Sequence, residues 1–501
     1  METEIEIKFL FSADFEQELF NTIKSQQVIS TKEQLLHNVY FDTSDRSLRK
    51  MDMGLRVRSC DNRSVQTIKT SGRVIGGLHQ RPEYNEPIEG GRPELARFNS
   101  KIWPDECDIK ALENELVPIF STDFTRQTWL LEMSEATLIE VAYDRGFIEA
   151  KQDKKDICEI ELELIKGDEK QLFILAEQIA LLPQVRLSNV SKAQRGYMLG
   201  DQTEFVVKPL LESPLLPSMS IAQALMTNIQ HGLRHIQYHE NCYLESYQDA
   251  ALNELVVGIK FVHQNLSLFK DHSPMLLKAP WIEGLHWLAR SFSWLELHSD
   301  NQNLLNNKGY YLRKITKYKK LLKQIEQQDN SLPSQESICA LLHSSRYCQF
   351  VLSLTQWLIQ LEKNTFASEK SHEIKEFACQ RLSEVWQSFR EVLQNHGDNQ
   401  LLAYQGLLEG NLLMGLSVAN LFSHDDYFNF YAPWLDIKQG LKELSMIKIV
   451  DDFAEIETDK ARQLDYFRWI KRKQESLSHA LEQSKQQALL KESFWNEKLS
   501  D

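Results

Sequence analysis

The chain of 501 residues carries 57 basic and 71 acidic side chains, a net charge of −14, with 42% hydrophobic and 26% charged residues. A single core stops growing at roughly 250–300 residues, so this length predicts two or three domains of ordinary globular composition. The acidic balance excludes a general nucleic-acid binder, which needs a basic footprint, and no stretch reaches the ~20 apolar residues that span a bilayer. The opening METEIEIKFLF is acidic and alternating, unlike a signal peptide. Seven cysteines (60, 107, 158, 242, 339, 348 and 379) lie scattered without a CxxC pair. That usage fits reduced thiols in a cytoplasmic protein.

Up to about residue 200 the pattern is that of strands: short period-two runs between turn signals. In order they are Glu4–Lys8, Leu36–Phe41, Gly54–Arg58, Val65–Lys69, His79–Asn85, Phe124–Trp129, Leu138–Asp144 and Cys158–Leu164. Helical runs at Asp14–Ser25 and Asp168–Leu182 are candidates to cover the sheet. Residues 201–217 include Lys208-Pro-Leu-Leu-Glu-Ser-Pro-Leu-Leu-Pro217, whose three prolines remove amide donors and predict a linker. From 218 to 501, apolar residues recur three and four apart, which predicts an all-helical domain. The expected class is therefore α+β, a closed antiparallel barrel of about eight strands followed by a helical bundle.

The strands repeat one habit. Glu4, Glu6 and Lys8 share a face opposite Ile5, Ile7 and Phe9. Arg56 pairs with Arg58, Arg81 with Glu83, Glu140 with Asp144, and Glu159 with Glu161 and Glu163, while Lys69 and Arg126 stand alone. For any single strand, such alternation describes a solvated outer face. Taken together, six bases and eight acids on such alternating faces predict one shared polar surface, which a closed barrel turns into a lumen. Bases in that lumen would neutralise an oligophosphate. Clustered carboxylates repel one another and phosphate unless a hard cation lies between them, and Mg²⁺ or Mn²⁺ is the kind that takes carboxylate oxygen.

The opening Glu4-x-Glu6-x-Lys8 resembles the ExExK signature of the CYTH family, the triphosphate tunnel metalloenzymes. Arg56-x-Arg58, Lys69, Glu140-x-Ala-x-Asp144-x-Gly146, Glu159-x-Glu161-x-Glu163 and Ser191-Lys-Ala-Gln-Arg-Gly-Tyr197 follow in the family's order. Gly76-Gly-Leu-His-Gln-Arg-Pro-Glu-Tyr-Asn85 is similar to the bacterial CYTH–CHAD proteins that act as inorganic triphosphatases. The resemblance implies an eight-stranded tunnel that hydrolyses inorganic triphosphate to pyrophosphate and phosphate with Mg²⁺ or Mn²⁺. It implies Glu4, Glu6, Asp144, Glu159 and Glu161 as metal ligands, and Lys8, Arg56, Arg58, Lys69, Arg81 and Arg126 as phosphate-binding residues. Lys192 and Glu83 are implied as catalytic, with Glu83 alternatively holding a base such as Arg81 in place. Glu140, Glu163 and Arg195 lie on matching faces. A nucleoside or thiamine triphosphatase and a class IV adenylate cyclase share the tunnel's charges and stay open, as does a non-catalytic polyphosphate- or nucleotide-binding module.

Residues 218–501 resemble a CHAD domain by position and helical character. In Glu254–Phe269 only Lys260 and His263 stand where that family's basic cluster is expected. With 31 bases against 37 acids beyond residue 200, the half is net −6. That balance favours a scaffold or protein-docking role over polyphosphate binding. His231, His235 and His239 share one helix face and are read as packing residues rather than a metal site. The run Arg313–Lys320 reads as a solvated face, and Trp281, Trp287 and Trp294 as core.

Overall fold

The computed structural model describes residues 2–60, 63–271, 279–365, 374–395, 402 and 404–495. It divides into two compact units, residues 1–206 with 339–357, and residues 207–338 with 358–501.

The first unit is built on ten strands: β1 (Glu2–Leu10), β2 (Val28–Asp42), β3 (Gly54–Cys60), β4 (Arg63–Lys69), β5 (Arg73–Ile75), β6 (Leu78–Ile88), β7 (Val117–Glu132), β8 (Leu138–Ala150), β9 (Asp153–Lys166) and β10 (Arg186–Leu187). Eight of them run antiparallel in the order β1-β9-β8-β7-β2-β3-β4-β6, and β6 returns to pair with β1, closing a barrel. The short strands β5 and β10 attach to β6 and β1. Closure removes the open edges that a flat sheet would present.

Register then decides which charges become neighbours, because directly opposed residues share a face. Between β1 and β9, Lys8 stands opposite Glu161 and Glu6 opposite Glu163. Between β1 and β6, Glu4 faces Arg81 and Glu6 faces His79. Arg126 opposes Asp144, which in turn opposes Glu159. The alternate residues point outward and are sealed: Ile7, Phe9, Ile160 and Leu162 are fully buried. The helix α1 (Glu16–Lys24) contributes Leu19 and Ile23 to that apolar coat. The helix α4 (Glu169–Ile179) adds Leu172, Leu175, Ala176 and Ile179, so the two expected covering helices form within the predicted bounds. Two short helices, α2 (Ser47–Lys50) and α3 (Ile109–Glu115), lie between the strands. A further helix, α5 (Lys192–Asp201), starts from Ser191, whose hydroxyl accepts the Gln194 amide at 3.1 Å.

The second strand is longer than the alternation at 36–41 predicts. Its first half, residues 28–34, is mostly exposed and polar and is held by pairing with β7 rather than by burial.

Beyond the proline-bearing segment, every regular element among the described residues is helical. The helices are α6 (Ile221–Ser246), α7 (Asp249–Phe269), α8 (Trp281–Ser291), α9 (Leu295–Gly309), α10 (Tyr318–Asp329), α11 (Gln335–Leu342), α12 (Ser345–Thr365), α13 (Ile374–Asn395), α14 (Gln405–Val418), α15 (His424–Glu455) and α16 (Lys460–Leu490). Ser220 and Gln223 form a reciprocal capping box that starts α6. Helices α6 and α7 approach closely at Gly232, where a Cβ would come within 2.5 Å of Val262. Trp281 is core as expected, whereas Trp287 and Trp294 are half-buried. Trp294 sits at the junction before α9, and its indole donates to the Ser291 carbonyl at 2.9 Å.

Two of the three α6 histidines bond to the proline-bearing segment, and His235 Nε2 lies 3.1 Å from Glu254. His231 Nε2 lies 3.0 Å from the Leu211 carbonyl, and His239 Nε2 accepts the Lys208 amide at 3.3 Å. They thereby hold the proline-bearing segment against the helix. Arg313, Lys314, Lys317, Lys319 and Lys320 are exposed, as the charge run implies.

Candidate active site inside the barrel

The inward faces enclose a cavity of about 100 Å³. Its lining includes Glu4, Glu6, Lys8, Arg56, Arg58, Lys69, Arg81, Arg126, Glu161 and Lys192, so all six predicted phosphate-binding bases meet there. Uncharged Tyr40, Thr67, His79 and Phe124 complete much of the wall.

The acids divide into two groups. Carboxylate oxygens of Asp144, Glu159 and Glu161 lie within 4.8 Å of one another, on residues 0%, 0% and 9% exposed. Each is gripped by cations. Arg126 donates to Asp144 through Nε at 2.7 Å and Nη2 at 2.6 Å, and to Glu161 at 2.5 Å. Lys192 reaches Asp144 at 2.6 Å and Glu161 at 3.0 Å and also bonds Glu159. Lys8 pairs with Glu161, and Arg195 with Glu159. Burying an ion costs several kcal/mol, which only close partners offset. Burial would push Glu159 up, but Lys192, Arg195 and Lys8 overcome it and hold it down to about 2. Glu161 is held well below its usual range in the same way, by Lys192, Lys8 and Arg126.

The second group, Glu4, Glu6 and Glu163, is poorer in cations. Lys69 pairs with Glu4, and Lys8 lies 3.6 Å from Glu6. Burial, then the charges of Glu4 and Glu6, push the Glu163 carboxyl up to about 8. Burial likewise raises Glu4, against the pull of Lys69. The five predicted metal ligands are thus distributed over two neighbouring clusters of one wall.

On the opposite wall Arg58 is held by a neutral group. Arg58 Nε donates to Asn38 Oδ1 at 2.8 Å, and Asn38 donates to Thr122 at 2.9 Å. Burial, with Arg56 and Arg126 nearby, pushes Arg58 down to about 9. The Nε atoms of Arg56 and Arg81 are buried without a hydrogen-bond partner. Such donors are costly to leave unmet.

Glu83 is not among the lining residues. It sits 2.9 Å from Lys69 and 4.0 Å from Arg56, and these cations hold it down to about 2 against the effect of burial. Its geometry is that of a brace for those two bases, rather than for Arg81. Glu140 opposes Glu163 in the register and also stands outside the lining. Tyr40 and His79 carry no charge pattern that strand periodicity could flag, whereas Arg195 was readable as Lys192 plus one helical turn.

Residues 2–197 match the CYTH domain family, and residues 227–408 match the CHAD domain family. The chain carries a CYTH domain followed by a CHAD domain. An inorganic triphosphatase of Haemophilus influenzae is 40% identical over 200 residues, covering 40% of this chain and 55% of that protein. The match thus spans about half the length of that relative. Among solved structures, a Hippeastrum protein described as having a dominant triphosphatase activity is 22% identical. It covers 40% of this chain and 97% of its own, at a TM-score of 0.29. The CHAD domain of the plant Ricinus communis is 15% identical, covering 57% of this chain and 98% of its own, at a TM-score of 0.46. No helix among the described residues is long and apolar enough to cross a membrane.

Proposed function

We propose that this CYTH–CHAD protein hydrolyses inorganic triphosphate to pyrophosphate and phosphate inside the barrel. The observation that carries the reading is the convergence of six bases and the carboxylates Glu4, Glu6 and Glu161 on one cavity, with Asp144 and Glu159 fully buried beside Glu161. The unmet guanidinium donors of Arg56 and Arg81 support it, since an oligophosphate would satisfy them. The Haemophilus influenzae relative supports the inorganic substrate.

The donor set fits a hard cation, because it consists of carboxylates alone and brings three of them within 4.8 Å. Asp144, Glu159, Glu161, Glu4 and Glu6 would hold it, and Mg²⁺ or Mn²⁺ supplies Lewis-acid neutralisation of phosphate oxygens when bound. The chain's own residues do the rest. Arg56, Arg58, Arg81, Arg126, Lys8 and Lys69 bind and orient the phosphates so that one terminal phosphoryl group is aligned for attack by water. A phosphorus–oxygen bond forms to that water and the bridging bond breaks. Pyrophosphate leaves with its added negative charge stabilised by the same cations, and the water's protons end on the two products and solvent. Lys192, anchored among three acids, adds positive charge beside the phosphate cradle. Glu83 keeps Lys69 and Arg56 aimed at the cavity.

The helical region is assigned a scaffold role, because Lys260, the cation kept at the expected basic position, is taken up by Glu296 at 2.6 Å and Glu409 at 2.7 Å. Cys107, Cys158, Cys242, Cys339, Cys348 and Cys379 are free thiols, which supports a cytoplasmic location.

The test is phosphate release by the full chain with Mg²⁺ and with Mn²⁺ from inorganic triphosphate, ATP, thiamine triphosphate and long-chain polyphosphate. Equal amounts of phosphate and pyrophosphate from triphosphate, far faster than from the others, are expected. Faster release from ATP or thiamine triphosphate would transfer the assignment to that substrate. No release at all would favour a binding module.

A further inference from the structure

The helix α5 brings Lys192 and Arg195 to the acids of the tunnel, and something must fix it there. At its far side, the Tyr197 hydroxyl donates to Asp42 Oδ2 at 2.8 Å. Asp42 is fully buried and also accepts the amides of Thr43 at 2.8 Å, Leu48 at 2.8 Å and Arg49 at 3.1 Å. Four donors saturate the carboxylate, so its position is over-determined. The segment that Asp42 organises grips α5 a second time. Arg46 donates to Asp201 through Nε at 3.0 Å and Nη2 at 2.5 Å, and Arg49 reaches the same carboxylate at 3.2 Å. The Arg49 guanidinium also lies 4.7 Å from the Tyr197 ring centre, in cation–π range.

The Tyr197 ring continues the chain of contacts into the cavity. It meets Phe120 edge-on with ring centres 5.4 Å apart, and Phe120 stacks on Tyr40 at 4.4 Å and 17°. Tyr40 lines the cavity and stands directly opposite Arg56 between β2 and β3. The approach has no slack, because a Cβ on Gly196 would fall 2.1 Å from the Phe120 ring.

We propose that Tyr197 and Asp42 are positioning residues, a latch that seats Lys192 and Arg195 on Asp144, Glu159 and Glu161 and steadies Arg56 through Tyr40. Neither touches the cavity, so they act only through those residues. The kinetic consequence rests on the triphosphatase reading; the structural one does not.

The experiment compares full-length wild type, Tyr197→Phe, Asp42→Asn and Gly196→Ala by two readouts. One is the rate of Lys192 acylation by an amine-reactive ester, followed by mass spectrometry. The other is kcat and KM for triphosphate. Tyr197→Phe keeps the ring and loses the latch. It is expected to raise Lys192 acylation at least fivefold and lower kcat at least tenfold, with KM within threefold. Gly196→Ala pushes α5 off Phe120 while keeping the Asp42 bonds and shows what loss of packing alone does. Asp42→Asn, which takes the carboxylate from the Tyr197 hydroxyl, is expected to act as Tyr197→Phe does and decides the matter if Tyr197→Phe does not fold. Unchanged acylation in folded Tyr197→Phe or Asp42→Asn overturns the latch, whatever the kinetics. Raised acylation with kcat within twofold overturns the positioning role. A wild type that does not turn over triphosphate sinks the triphosphatase reading, while the acylation readout still decides the latch.

Discussion

The barrel half and the helical half carry nearly the same charge balance, 26 bases to 34 acids up to residue 200 and 31 to 37 beyond it. In the barrel the charges are buried, cross-linked and aimed at one cavity, and three carboxylates share four cations from three elements. In the helical half they mostly pair at the surface, as Lys448 does with Asp451 and Asp452 or Lys471 with Glu475. The difference lies in backbone periodicity. A strand of period two places every second residue on one wall, and closure makes all those walls face each other. A helix carries its charges away from its packed face, where water screens them. Placement rather than number therefore decides whether charges converge on one cavity.

The comparison can be broken or sharpened by substitution. Arg126→Ala leaves Asp144 and Glu161 underpaired in the barrel. It should cost about 3–5 kcal/mol of stability and abolish measurable turnover, read by denaturant unfolding and phosphate release. Glu4→Ala and Arg56→Ala should each leave the fold intact while lowering turnover by about 10²–10³-fold. Near-wild-type turnover would remove that residue from the mechanism. Lys260→Ala, in the helical half, should change stability by about 1 kcal/mol or less and leave turnover unaltered. A loss comparable to that of Arg126→Ala would contradict the comparison.

A further expected effect concerns pH. Glu457 accepts from Arg462 at 3.0 and 3.1 Å and from Lys320 at 2.9 Å, and these donors, Arg462 first, hold its carboxyl down to about 2. A carboxyl depressed below its unfolded value of about 4.3 contributes stability above that pH and loses it as pH falls through the folded value. Thermal melts of wild type and Glu457→Gln should therefore differ at pH 7 and converge as pH falls from about 4.3 toward 2. A constant difference across that window would show that the pair does not carry the effect.

Much of this was legible in the chain itself. The alternation of Glu4, Glu6 and Lys8 with Ile5, Ile7 and Phe9 is enough to assign β1 and its inward face, and the same holds for Arg56, Arg58, Glu159 and Glu161. Partner choice was not legible, because it depends on register between strands far apart in sequence. That Lys8 meets Glu161 across more than 150 positions follows from the pairing of β1 with β9. The separation of Glu4, Glu6 and Glu163 from the Asp144 cluster has the same origin. Strands β5 and β10, of three and two residues, are too short to show a period. Tyr40, His79 and the Asp42–Tyr197 pair carry no pattern of their own, since a single polar residue announces its role only through tertiary contact. The exposed half of β2 lacks the apolar alternation that marks a strand, and pairing with β7 supplies what periodicity did not.

The most direct test of the central claim is calorimetric titration, with Mg²⁺ present, of a non-hydrolysable triphosphate analogue into wild type, Arg56→Ala, and a variant carrying both Lys317→Ala and Lys319→Ala. One binding site is expected, weakened at least 100-fold by Arg56→Ala and unchanged when the exposed helical lysines are removed. Binding that survives Arg56→Ala and disappears with Lys317 and Lys319 would place the anion on the helical surface and contradict the account.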